Sequence, residues 1–232
     1  MPRARPAEII RQTAETPEEQ GSGCLSGFTI IPLSVLFVSA ILASFAWRIN
    51  PTSTALPSVD SPPAVISAKI SPIFRIEILH WADSISKWAA ASQLDPNLVA
   101  TIMQIESCGD PRARSSAGAM GLFQVMPFHF YAIDDPYNPD TNAARGLAYL
   151  ARSLATGGGN AQLAMAGYNG GIGLISRSEW TWPAQTQRYV KYGVPIYEDA
   201  RAGLSSSTAL NEWYQKYGVS LCRQAHQRLG LP

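Results

Sequence analysis

"LDPNLVATIMQIESCGDP", Leu94 to Pro111, reads as one short helix with its punctuation in place. Asp95 suits the N-cap, where a side-chain oxygen accepts from an unpaired N–H, and Pro96 suits the first helical position, where a missing N–H costs nothing. Gly109 suits a left-handed residue past the end, and Pro111 follows it. Between these marks Leu98, Val99, Ile102, Met103 and Ile105 recur at helical spacing. Glu106 lies three, four and seven residues after Met103, Ile102 and Val99, so it shares their apolar face. A carboxyl beside apolar side chains loses hydration, which raises its pKa. The carbonyl end of the helix acts in the same direction. A carboxyl kept protonated near neutral pH is what a general acid requires. The alternative is a glutamate at the helix edge that bends out to water.

Helical spacing continues on both sides. Phe74, Ile78, Trp81, Ile85 and Trp88 form an apolar stripe from Ile73 onward. Further helices are expected over 142–155, over "AQLAMAGYN" with Asn160 as its cap, over 185–201 with an interruption around Gly193 and Pro195, over 208–217 and over 220–229. No segment alternates at period two. The fold class this predicts is all-α, with long functional loops.

The chain has 232 residues, 46% hydrophobic, with a formal net charge of +1. That is enough for one domain with a sizeable core, and without a basic block it gives no footprint for nucleic acid. Phe28 to Trp47 is a run of 20 residues without a charge. As a helix it would span roughly 30 Å, the hydrocarbon core of a bilayer. A signal peptide is the competing reading, but 27 residues precede the run and "SFA", Ser44 to Ala46, is a weak cleavage site. The organisation expected is a disordered cytoplasmic N-terminus over 1–27, a single transmembrane anchor over 28–48, a Pro-rich linker over 49–72, a catalytic domain over 73–201 and a helical extension packed on it over 202–232. Cys24, just before the apolar run, reads as a plain thiol, with reversible acylation beside a membrane as the alternative.

Four stretches follow in order: "IES" (105–107), "SSAGAMGLFQVMP" (115–127), "NPDTNAARGLAYL" (138–150) and "AMAGYNGG" (164–171). Together they resemble the soluble lytic transglycosylases, over roughly 79–192. The resemblance implies a lysozyme-like (goose-type) helical domain. It also implies non-hydrolytic cleavage of the β-1,4 bond between N-acetylmuramic acid (MurNAc) and N-acetylglucosamine (GlcNAc) in peptidoglycan, leaving a 1,6-anhydro end. By position, Glu106 matches the single catalytic acid/base. Ser107, Gln124, Tyr168 and Asn169 match residues by the substrate, with Tyr168 expected within hydrogen-bond reach of Glu106. Phe123 stands where the family has Met and keeps an apolar wall. Asn142 matches a structural Asn and reads as a helix cap. Gly167 replaces an Ala, and Gln185 stands where a Glu is common.

The family's chemistry needs one carboxyl, whereas an ordinary glycosidase pairs two. Asp110, Asp134 and Asp135 are near in sequence, but no motif places them beside Glu106. No cofactor or metal is implied, since His80, His129 and His226 lack metal-ligand spacing and read as structural. Tyr189 and Val190 read as core. A hydrolytic muramidase on the same fold and a non-catalytic wall-binding module remain alternatives. The partners expected are glycan strands and the membrane, for a monomer whose catalytic domain is extracytoplasmic. In that oxidising compartment Cys108 and Cys222 are expected to pair. Cys222, with Val219 and Ala225, faces inward; two buried thiols are the other possibility.

Overall fold

The stripe that begins at Ile73 divides into two helices, α1 (Ile76–Leu79) and α2 (Ala82–Ser92). Trp81 lies between them, with its indole N–H donating to the Gly109 carbonyl at 2.9 Å. Next come α3 (Pro96–Glu106), α4 (Pro139–Thr156), α5 (Ala161–Gly170), α6 (Ala184–Arg201), α7 (Thr208–Trp213) and α8 (Val219–Leu229). The structure, a computed structural model, describes residues 70–232. Among these no strand forms, and the only extended pairings are isolated bridges from Met120 to Arg114 and to Val125. The all-α expectation therefore holds for the described residues. No helix among them is long and apolar enough to cross a membrane. The expected anchor over 28–48, the segment 1–27 and Cys24 lie outside the described residues. The end of the expected linker belongs to the fold instead: Ile70 and Ser71 are buried, and the Ser71 N–H donates to Asn97 Oδ1 at 2.8 Å.

α3 starts as its sequence predicts, with Asp95 accepting from the Asn97 N–H at 2.8 Å and Pro96 in the first turn. It is buried on every side from Leu98 to Gln104, not on one face only, because α1, α2 and α6 all pack on it. α6 runs unbroken through Gly193 and Pro195, against expectation. A proline inside a helix costs about 3 kcal/mol. Here packing on α3 and α5 outweighs that cost, and Gly193 allows the approach: a Cβ there would lie 2.7 Å from Met165 Sδ.

Asn142 is not a cap. Asn138 caps α4, accepting from the Thr141 N–H at 3.0 Å, and Asn142 lies inside the helix. Its side chain accepts from the Phe123 N–H (2.9 Å) and donates to the carbonyls of Met120 (2.8 Å) and Pro136 (2.9 Å). One buried amide thus holds the 120–136 loop to α4. Asn142→Ala leaves those groups unpaired, and we expect a loss of about 2–3 kcal/mol, read as a lower urea midpoint at unchanged slope.

The chain beyond Arg201 packs on this core. α8 lies against α1. Cys222 is bonded to Cys108, with Cα atoms 5.0 Å apart. Gln224 and Arg228 both donate to Asp110 Oδ2, at 2.8 and 2.7 Å, and His226 Nδ1 lies 3.2 Å from Glu77 Oε1.

Candidate active site

Glu106 is the last residue of α3, and its carboxyl opens into a hollow walled by Ile105, Asn169, Tyr189, Tyr192, Trp213 and Tyr217, with Gln185 and Arg188 at the same site. Among the described residues, no second carboxylate lines it. Desolvation by these walls pushes the Glu106 pKa from 4.5 up to about 7; the Tyr189 hydroxyl, which favours the charged form, opposes part of that rise. The carboxyl of the opening stretch is thus held on the apolar side.

The three nearby aspartates are engaged elsewhere. Asp110 is fully buried and paired with Arg228. Asp134 forms two hydrogen bonds with Arg145, at 2.7 and 3.0 Å, which hold its pKa below the usual carboxylate range. Asp135 accepts from the Tyr137 N–H at 2.9 Å.

A second hollow lies on the other side of Asn169, which lines both. Gln124, Met126, Phe128, His129, Tyr149 and Tyr168 form its walls. Gln124 reaches it from a left-handed backbone (φ 46°), with its side-chain amide donating to the Gly121 carbonyl at 3.0 Å. Tyr149 bridges His129 and Tyr168, with ring centroids 4.8 and 5.9 Å away. Burial, reinforced by the Arg152 charge, lowers the His129 pKa and favours neutral imidazole. Asn169 is held by the Thr186 hydroxyl, which donates to its Oδ1 at 3.0 Å.

Of the residues expected at the site, the structure brings Glu106, Gln124, Tyr168 and Asn169 to these two hollows. Ser107 and Phe123 are placed differently. Ser107 is fully buried, and its hydroxyl donates to the Leu122 carbonyl at 2.6 Å and accepts from the Gly109 N–H at 3.1 Å. It ties the glycine loop to the end of α3 and presents no group to the cleft. Phe123 is also fully buried, packed edge-on against Trp88 at 6.1 Å. Its backbone carbonyl accepts from the Tyr168 hydroxyl at 2.6 Å. Tyr168 therefore spends its proton on the loop rather than on Glu106. Gly146 allows this arrangement, since a Cβ there would lie 2.7 Å from Phe123 Cβ and 3.1 Å from the Tyr168 hydroxyl. At Gly167 an added Cβ would meet Ile175 Cδ1 at 2.7 Å, which accounts for the missing Ala.

The hydroxyl that acts on Glu106 belongs to Tyr189, which sequence reasoning assigned to the core. It is 7% exposed, and its buried hydroxyl is paired with no other group, which leaves it free to act on the Glu106 carboxyl, whose pKa it lowers. Burial and then the Glu106 charge raise its pKa well above the ordinary tyrosine value, so it stays a neutral phenol. His129, Tyr149, Trp213 and Tyr217 were missed as well. Glu77, Cys108 and Cys222 form the one group of three potential metal ligands among the described residues, and the disulfide occupies both sulfurs.

Residues 83–189 match the family described as the transglycosylase SLT domain. Among curated proteins, the transglycosylase of Enterobacteria phage PRD1 is 36% identical over 113 residues, which cover 48% of this chain and 40% of the relative. Membrane-bound lytic murein transglycosylase E of Buchnera aphidicola is 31% identical over 84 residues, covering 31% of this chain and 38% of that protein. The soluble lytic murein transglycosylase of Escherichia coli is 27% identical over 109 residues, covering 42% of this chain and 17% of its own length. The chain thus spans less than half the length of each of these relatives.

Proposed function

We infer, from the match of residues 83–189 to the transglycosylase SLT domain, that the protein is a peptidoglycan lytic transglycosylase. The observation that carries this reading is a lone carboxyl, Glu106, held with a pKa of about 7 in a hollow with no second acid. A carboxyl raised to that range can exchange its proton near neutral pH, which suits a group that must first give and later take a proton.

The proposed reaction cleaves the β-1,4 bond between MurNAc and GlcNAc. Glu106 donates its proton to the bridging oxygen as the bond from C1 of MurNAc breaks, and GlcNAc leaves with a free 4-hydroxyl. The 2-acetamido oxygen of MurNAc supplies the electron pair to C1 that a second carboxylate would supply in an ordinary retaining glycosidase. Glu106, now ionised, removes the proton from the C6 hydroxyl. O6 attacks C1, the acetamido group is released, and a 1,6-anhydro ring closes. The neutral Tyr189 hydroxyl steadies the carboxylate between the two steps. The hollow lined by Gln124, Tyr149 and Tyr168 holds the strand on one side of Asn169. The walls offer aromatic faces and side-chain amides suited to N-acetylated sugars.

This substrate lies outside the cytoplasm, so the domain belongs there, tethered as a monomer by the 28–48 anchor. The Cys108–Cys222 bond supports an oxidising location. The test is mass analysis of the products from purified peptidoglycan. Anhydro ends, one water lighter than reducing ends, are expected. Reducing ends would make the protein a hydrolytic muramidase, and binding without cleavage a wall-binding module.

A further inference from the structure

We propose that the extension beyond Arg201 supplies a sugar-binding subsite of the cleft, with Tyr217 as its stacking platform. The proposal rests on the transglycosylase reading and deepens it. The family match ends at residue 189, and of the aromatic residues beyond it that line the same hollow as Glu106, Trp213 and Tyr217 belong to the extension past Arg201. They play different parts. Trp213 is 4% exposed and belongs to the core, whereas Tyr217 is 46% exposed. A large aromatic ring left half open at the mouth of a hollow offers its apolar surface to the C–H face of a pyranose. The ligand class is a GlcNAc or MurNAc ring of the strand being cut.

The backbone is built to present that ring. Between α7 and α8 the chain forms a π-helical turn, Tyr214–Gly218, with Tyr217 inside it. Such turns are rare and occur mostly at functional sites. The wide turn lets Tyr217 face the hollow while Cys222, five residues on, faces Cys108. Gly218 is required for this path, because a Cβ there would lie 2.7 Å from the Trp213 ring. The Tyr217 ring is also held before any ligand arrives. Tyr192 packs against it nearly edge-on, with centroids 5.7 Å apart, and the Arg188 guanidinium lies 5.5 Å from its centroid. Tyr192 is positioned in turn by Lys216, whose Nζ donates to its hydroxyl at 3.2 Å. A preset ring loses little freedom on binding.

The test uses the full chain with its disulfide intact. Cleavage kinetics on glycan strands are measured for the wild type, Tyr217→Ala and Tyr217→Phe. The affinity of GlcNAc–MurNAc oligosaccharides is measured by calorimetry in Glu106→Gln, with and without Tyr217→Ala. Thermal unfolding is followed for each. For Tyr217→Ala we expect KM to rise and affinity to fall by roughly tenfold, with kcat and the melting temperature little changed. Tyr217→Phe, which keeps the ring, should restore both. Unchanged KM and affinity, a loss that phenylalanine does not restore, or a loss that follows a drop in melting temperature would each overturn the subsite while leaving the activity standing. Failure of the wild type to cleave strands would instead overturn the transglycosylase reading, and the subsite with it.

Discussion

Glu106→Gln is expected to abolish peptidoglycan cleavage and, in the same molecule, to raise stability above neutral pH. The loss of activity follows from proton transfer: an amide cannot donate to the bridging oxygen or accept from the C6 hydroxyl, and removing such a group costs roughly 10²–10⁴ in rate. The gain in stability follows from the raised pKa. The folded protein holds the Glu106 proton up to about pH 7, whereas the group ordinarily releases it near 4.5. Folding is therefore favoured below 4.5 and loses stability as pH rises from 4.5 to 7, levelling off above. The glutamine variant has no such loss, and at pH 8 it should be the more stable by about 3 kcal/mol. Urea unfolding of both proteins at pH 4 and pH 8 reads the difference directly. Equal stability changes with pH in the two would show that the carboxyl is not held protonated by the fold. Wild-type cleavage should fall as pH rises through 7, as the acid form disappears.

Removal of the Cys108–Cys222 bond should have the largest effect on folding. It joins residues 114 apart in sequence, and constraining a loop of that size in the unfolded chain is worth about 4–5 kcal/mol in the chain-entropy model. Reduction, or replacement of both cysteines by alanine, should lower the unfolding midpoint by a matching amount, measured with and without reductant. An unchanged midpoint would mean that packing of α8 on α1, with the Asp110 pairs, holds the extension without the bond.

Much of the fold was legible because helices announce themselves. Asp95 and Asn160 cap where expected, and the apolar spacing placed α3, α4 and α5 with small shifts. Pro195 misled because local cost is readable in a sequence and the packing that outweighs it is not. Asn142 misled for a related reason: an asparagine near a helix start resembles a cap, and its three bonds reach residues 6 to 22 positions away. At the site, Glu106 was legible from its neighbours alone. Ser107 and Phe123 lie next to residues of the cleft and still point into the core, since adjacent positions on a turn face opposite ways. Tyr189 is the converse. A tyrosine on the buried face of α6 has the spacing of a core residue, and only its hydroxyl, brought against α3 by packing, gives it a place in the chemistry. Trp213 and Tyr217 carry no motif at all.

The disulfide also changes what a cut does to this protein. It closes a covalent ring from Cys108 to Cys222 that contains Gln124, Tyr168, Asn169, Tyr189 and Tyr217, with Glu106 two residues outside it. Exposed loop tips are the places where proteases nick a folded chain. Ile133, 94% exposed, sits on such a tip, and Trp180, 82% exposed, on another. A single break at either tip opens the ring without dividing the molecule. Both halves stay joined through sulfur, and a nicked chain separates into two pieces only when a reductant is added.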